Sequence, residues 1–272
     1  MTAALPATKL NEVVDFLGVP AFKNSNPFSA IGKKKTELKH SMNALLAKNP
    51  TEAYTGLGII YNYENQLDLA CNAFQNAYRV SNKGYSASRH LANQELLFGD
   101  RNFGISLFLN LVNEHPLDFN LAFEFTNKAS SLLFMDELNE GLKNHRLYDD
   151  IMKSCSSEIQ ESLEMFNFIK RNKINIEIFR DIVSTGDKVF SRYFTVPTET
   201  GIHKLIDNER HTLTISYELP DFNDLPEDLL GEMNDNLQDE IIYLYKKYKI
   251  NSSSPEDKIT MYFEPADIHE VV

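Results

Sequence analysis

The chain has few of the residues that mark catalytic and metal-binding motifs. It contains no tryptophan, two cysteines and 11 glycines in 272 residues. A phosphate-binding loop needs a glycine-rich turn between a strand and a helix, a serine nucleophile needs a GxSxG elbow, and a zinc protease needs HExxH; the sequence has none of these patterns. Its seven histidines are scattered without metal-ligand spacing. We therefore expect no cofactor and no metal, and we predict a protein that is not an enzyme.

The chain also lacks long apolar runs and an excess of basic residues. No stretch approaches the roughly 18 uninterrupted apolar residues of a membrane span, and the N-terminus has no signal-peptide pattern. Cys71 and Cys155 lie far apart in helical patterns, as reduced thiols of cytosolic proteins do. The net charge is -12, from 27 basic and 39 acidic residues, which disfavours nucleic acid as a partner. We expect a cytoplasmic protein without membrane contact.

Residues 53–78 have the spacing of two helices in close contact. Small and aromatic residues recur there at Tyr54, Leu57, Gly58, Tyr61, Ala70, Phe74 and Ala77. Small residues allow two antiparallel helices to approach, and aromatic rings fill the space between them. The pattern resembles the tetratricopeptide repeat family, with Tyr54 in place of the usual tryptophan. The resemblance implies a helix hairpin that belongs to a stack of repeats.

The pattern returns after 34 residues, which is the period of that family. The second copy has Leu91, Ala92, Gly104, Phe108 and Leu111 at the corresponding positions, and the residues at the close-contact positions stay in the same size class as in the first copy. A turn lies at Gly99, and Glu95 stands where the first copy has Tyr61. A degenerate third copy contains Phe125, Thr126, Ala129, Leu138 and Leu142. Residues 1–50 supply a preceding irregular helix pair, with a helix from about Thr36 to Lys48, and residues 154–173 supply a capping helix.

In this family the first helix of each hairpin lines a concave groove. The resemblance assigns the partner-binding groove to Thr55, Ile59, Asn62, Tyr63, Arg89, Asn93, Leu97, Phe123 and Asn127. Arg89 and Asn93 resemble half of a clamp that holds the terminal carboxylate of a peptide, although the third repeat offers Asn127 without a basic partner. The implied function is protein-protein interaction, as an adaptor, a chaperone-like protein or a regulatory protein that holds another protein or a peptide segment.

The last part of the chain does not resemble the repeat. Residues 174–194 predict a helix interrupted near Gly186, with the STGDK segment as a turn. Two β-like runs flank a polar DNER turn, a helix follows with Pro226 in its first turn, and KITMYFEP alternates as a strand. We predict the order strand, strand, helix, strand, in which the helix covers one face of the sheet and the last strand is parallel to its predecessor. The fold class is α+β: a TPR-like helical repeat (α-α superhelix) domain, residues 1–170, and a small acidic α+β domain, residues 171–272.

Three alternatives remain open at this point. The run Glu218 to Glu240 contains nine acids and no Lys or Arg, which is either a solvated helix face or a surface that docks on a basic partner. An enzyme would use acids such as Glu218 or Asp221 at the domain junction. A nucleic-acid-linked regulator would use residues 168–190 as two helices about a turn. The acidic domain is also a candidate surface for a homodimer.

Overall fold

The computed structural model describes residues 8–17, 23, 30–143, 145–194, 202–219 and 225–265. The chain forms two compact units. The first comprises Met1–Leu111 with Ser191–Val196, and the second comprises Val112–Phe190 with Pro197–Val272. Most of the described residues are helical, and a small three-stranded sheet lies near the C-terminus. The expected combination of a helical part with a small α+β part is therefore present, whereas the domain boundary at residue 170 remains a prediction.

From residue 30 onward, the helices of the first unit follow one another with short turns between them. Its helices are α1 (Lys9–Leu17), α2 (Ala30–Leu45), α3 (Pro50–Tyr63), α4 (Leu67–Val80), α5 (Tyr85–Phe98) and α6 (Arg101–Glu114), the last of which extends past its boundary. Asn49 caps α3 by accepting the Glu52 N–H, and Pro50 takes the first helical position, where its missing N–H costs nothing. The predicted helix at Thr36 begins earlier, at Ala30, so part of the expected lysine-rich linker is helical.

Glycines mark close approaches within the two best-defined hairpins. A Cβ at Gly58 of α3 would lie 2.5 Å from the Phe74 ring of α4. A Cβ at Gly104 of α6 would lie 2.7 Å from the Leu96 nitrogen and 2.9 Å from the Ala92 oxygen of α5. Real Cβ atoms are not found at such distances, so both positions require glycine. The small residues that the sequence predicted at helix crossings do lie at helix crossings.

Glu95 is a buried acid in the contact between α4 and α5. Its carboxylate accepts the Asp100 N–H at 2.8 Å, the Gln75 amide at 3.0 Å and the Cys71 thiol at 3.2 Å. The pKa of Cys71 is raised to about 12, first by burial and then by the hydrogen bond and the charge of Glu95. Glu95 therefore stands where the first hairpin has the aromatic Tyr61, and it forms hydrogen bonds in place of aromatic packing. These hydrogen bonds connect α5 to α4 and to the turn before α6.

The helical part of the second unit continues the same pattern of short connections. Its helices are α7 (Phe119–Ser131), α8 (Met135–Lys143), α9 (Tyr148–Arg171) and α10 (Ile176–Tyr193). The residues assigned to the third copy are buried: Phe125, Thr126, Ala129, Leu138 and Leu142. Asp118 caps α7 by accepting the Leu121 N–H at 3.0 Å. The predicted capping helix forms most of α9, which has a kink at Cys155.

The predicted interruption of the helix at Gly186 is wrong. Helix α10 is continuous from Ile176 to Tyr193, and the STGDK segment lies inside it. A Cβ at Gly186 would lie 2.7 Å from the Tyr217 ring, and the Tyr217 hydroxyl donates to the Val183 oxygen at 3.1 Å. The glycine is needed because a sheet residue packs directly on the helix backbone, a tertiary contact that looks like a turn signal in the sequence.

The sheet has the order β1 (Ile202–Asp207), β2 (Thr212–Glu218), β3 (Ile259–Glu264). β1 and β2 are antiparallel around the predicted polar turn, and β2 and β3 are parallel. One face is buried, with Leu213, Ile215 and Tyr217 opposite Ile259, Met261 and Phe263. The order strand, strand, helix, strand and the parallel last strand are confirmed.

Helix α11 (Leu229–Tyr248) lies along the outer edge of β3. The Asn234 side chain accepts the Phe263 N–H at 2.8 Å and donates to the Phe263 oxygen at 3.0 Å, so it satisfies backbone groups that an edge strand leaves unpaired. Pro226 precedes the helix instead of lying in its first turn, since Asp228 is the residue before the first helical position. None of the helices in the described part of the chain combines the length and the apolar character that a membrane span requires.

Candidate functional site

Five of the nine predicted groove residues meet at one cavity in the first unit. Ile59, Asn62 and Tyr63 reach it from α3, and Asn93 and Leu97 reach it from α5. The cavity has a volume of about 290 Å³. Residues of α3 and α5 therefore share one concavity.

The remaining lining residues were not predicted from the sequence. They are Val14 and Leu17 of α1, Phe74 of α4, and His90, Gln94 and Phe98 of α5. His90 and Gln94 were identifiable in principle, because they lie three positions from Asn93 and Leu97, respectively, on the same helix face, whereas Phe98 has no such spacing. The α1 residues had no such signal, since the approach of α1 to α3 depends on long-range packing in the apolar cluster of Val13, Leu17, Leu38, Met42, Leu57, Ile60 and Ala73.

A polar network crosses one wall of the cavity. The Asn62 amide donates to the Gln94 carbonyl oxygen at 2.8 Å, and the Gln94 amide donates to the Leu67 oxygen at 3.3 Å. The Asn62 side-chain oxygen is buried and accepts no hydrogen bond from any of the described residues. Buried polar atoms of this kind are rare, because leaving one unsatisfied costs about 1–3 kcal/mol. This oxygen is therefore an acceptor for which the described residues supply no donor.

A lysine lies beside Tyr63, next to the cavity. The Lys23 ammonium donates to the Asn65 side-chain oxygen at 3.1 Å and to the Asn62 backbone oxygen at 3.4 Å, and it lies 5.4 Å from the centre of the Tyr63 ring. Burial lowers the pKa of Lys23 to about 8, and the nearby charge of Lys35 lowers it in the same direction. Burial also raises the pKa of the Tyr63 hydroxyl. The Lys23 ammonium, which contacts the Asn62 oxygen, the Asn65 oxygen and the Tyr63 ring, thus borders the apolar lining of the cavity.

Four predicted groove residues do not line the cavity. Thr55 is buried, and its hydroxyl donates to the Thr51 oxygen at 2.9 Å within its own helix, so it is not available to a partner. Arg89 is half-buried outside the lining, although Asn93 donates to its backbone oxygen at 3.2 Å. Phe123 and Asn127 lie on α7 of the second unit, where Phe123 stacks on Phe119 and Asn127 accepts from the Cys155 thiol.

The residues of the alternative hypotheses are arranged as follows. Glu218 lies 3.5 Å from His203, and Asp221 lies outside the described residues. Within the described ranges, no three His, Cys, Asp or Glu side chains cluster as metal ligands. On α11, the acidic residues Glu232, Asp235 and Asp239 are exposed, as expected for a solvated helix face. Part of the acidic run lies outside the described residues. The two helices of residues 168–190 are present, but α10 is buried over most of its length.

The chemistry of the cavity suits the side chain of a partner better than a large ligand. Its volume is at the lower end of the roughly 300–1,000 Å³ found for small-molecule pockets. Its walls are apolar and aromatic on α1, α4 and the end of α5, with the Asn62, Asn93 and Gln94 amides on one side. Comparison of the chain with protein-family models, with curated protein sequences and with solved structures gave no match. The function is therefore argued from the cavity alone.

Proposed function

We propose that this protein is a non-enzymatic interaction protein that holds a segment of another protein in a TPR-like groove. In this proposal, an apolar side chain of the partner enters the cavity between α1, α3 and α5. A donor of the same segment, such as a backbone N–H, bonds to the Asn62 side-chain oxygen. Binding to a concave surface of stacked helix pairs is the usual mode of helical repeat proteins.

The observation that supports the proposal is the coincidence of a concavity with an unsatisfied acceptor. Ile59, Asn62 and Leu97 were assigned to a groove from the repeat spacing, and they share one cavity. Among the described lining residues, the Asn62 oxygen is the only buried side-chain polar atom without a hydrogen-bond partner. Because this atom is buried, a donor of the partner reaches it only when the side chains around it shift, and the hydrogen bond then formed offsets the cost of leaving it unsatisfied.

The affinity of such a site comes from helices that are already ordered. Asn62 is held by its bond to Gln94, and Gln94 is fixed in turn to the Leu67 oxygen. Little conformational entropy of the binding surface is then lost when the partner arrives. The buried part of the interface would behave as a hot spot, in which one apolar anchor contributes most of the binding free energy.

The proposal is tested with Leu97→Trp, which fills the cavity with a larger apolar side chain. Affinity purification from native cells, followed by quantitative mass spectrometry, should show the loss of specific partners. The melting temperature should be kept or raised, because filling an existing cavity does not remove packing. The matched control is Leu69→Trp on α4, where the leucine is 48% exposed. Recovery of the same partners at the same abundance with Leu97→Trp would overturn the proposal.

A further inference from the structure

The edge of strand β1 faces a cleft, in contrast to the edge of β3, which α11 covers. The sheet order makes β1 an edge strand, and the structure shows no backbone hydrogen bond from its outer edge to the described residues. Helix α9 contacts this strand. Between the two is a cleft of about 730 Å³, lined by Glu161, Glu164, Met165, Asn167, Lys170 and Arg171 of α9 and by Lys204, Leu205, Ile206 and Asn208 at the strand.

The strand and the helix run in the same direction along this cleft. At one end, burial lowers the pKa of Lys204, and the negative charge of the Glu161 carboxylate raises it. The two side chains therefore lie near each other. At the other end, the Arg171 guanidinium donates to the Asn208 side-chain oxygen at 3.5 Å. The helix rises about 15 Å between residues 161 and 171, and the strand rises about 13 Å between residues 204 and 208. The cleft is therefore about as long as a strand of four or five residues.

The walls of the cleft are charged and its floor is apolar. Met165 is fully buried beneath it. Glu161 and Glu164 lie toward one end, and Lys170 and Arg171 lie toward the other, roughly two to three helical turns away. None of these four exposed side chains forms an ion pair within the described ranges. The cleft thus presents opposite charges at its two ends, together with unpaired strand backbone along its length.

We infer that this cleft binds an extended segment of a partner protein, which adds to the sheet as a fourth strand beside β1. An edge strand offers N–H and C=O groups that only another extended backbone satisfies in series. The charge pattern specifies the occupant: a basic side chain near Glu161 and Glu164, and an acidic side chain near Lys170 and Arg171. This site is distinct from the α1/α3/α5 cavity, and it takes an extended backbone where the cavity takes an anchor side chain.

The first test uses peptides selected from a phage-displayed library of random octapeptides on the full-length chain. The strongest peptide is synthesised with a fluorophore and titrated by fluorescence anisotropy. We expect a basic and an acidic residue about four positions apart. Lys170→Glu with Arg171→Glu should weaken binding at least tenfold, and exchange of the acidic residue of the peptide for lysine should restore it. The control is Lys153→Glu, an exposed lysine of α9 outside the cleft.

The second test asks whether the peptide pairs as a strand. Methylation of single backbone nitrogens removes one N–H at a time, and only alternate N–H groups of a strand point to its neighbour. Binding should therefore fall at every second position. A flat profile, a failure to select any peptide, or an unchanged affinity for the charge-reversed protein would each overturn the inference. Leu97→Trp should leave the affinity of this peptide unchanged, so failure here is distinguishable from failure of the proposed cavity.

Discussion

Replacement of Gly104 by alanine tests the helix pairing most directly. The new Cβ would lie 2.7 Å from the Leu96 nitrogen and 2.9 Å from the Ala92 oxygen. Both are backbone atoms of α5, so no side-chain rotation relieves the contact and the two helices must move apart. Overpacking costs about 1–3 kcal/mol, and contact with backbone atoms that cannot rotate away puts Gly104 in the upper part of that range, at about 2–3 kcal/mol. The higher helix propensity of alanine offsets about 1 kcal/mol. We expect a net loss of about 1–2 kcal/mol in the stability of the α5–α6 pair.

Hydrogen exchange followed by mass spectrometry measures this loss locally. A change of about 1–2 kcal/mol raises the open fraction of the α5 and α6 amides about 5- to 30-fold. Gly231→Ala on α11 is the matched control, because a Cβ there would meet no atom within 4 Å and only the helix propensity changes. That variant should leave exchange in α5 and α6 unaltered. If Gly104→Ala exchanges at the wild-type rate, the two helices do not need their close approach and the packing argument fails.

Two further predictions concern buried charged groups. Glu95→Ala should lower the free energy of unfolding by about 1–3 kcal/mol in urea titrations, because donors from Cys71, Gln75 and Asp100 lose their acceptor. Glu95→Gln keeps an acceptor and should lower the free energy of unfolding by less. Equal losses in the two variants would contradict this explanation. Lys23 has a pKa of about 8, below its ordinary value of 10.5, so the unfolded chain binds more protons between these values. Stability relative to Lys23→Met should therefore rise as the pH rises from 8 toward 10.5, and a constant difference would refute the shift.

The helix pairs were predictable because their signals are local. Apolar spacing of three and four residues predicts which face of a helix is buried, and Phe74, Ala92 and Phe108 are buried as expected. The hairpin of β1 and β2 was predictable for the same reason, since alternation and a polar turn occur within a few residues of one another. The parallel pairing of β3 followed from the helix between the strands, which permits a crossover connection.

Other features had no local signal or a misleading one. Gly186 looks like a helix breaker, yet it is buried in a continuous helix because the Tyr217 ring packs on it. Thr55 occupies a groove position in the repeat spacing, but its side chain turns back to its own helix. For Gly186, a residue distant in sequence decides the environment. For Thr55, a hydrogen bond within the helix decides it. Single-sequence spacing does not report such contacts.

Within the candidate site, the sequence by itself determined that α3 and α5 are paired with their following helices and which of their residues lie on the outer face. The tertiary structure decided that α1 lines the cavity, that the described residues give the Asn62 oxygen no donor, and that β1 and α9 line a charged cleft. The physical reason is the range of the interactions. Helix periodicity and crossing glycines act between neighbours in the chain, whereas cavities and open strand edges arise where segments far apart in sequence meet.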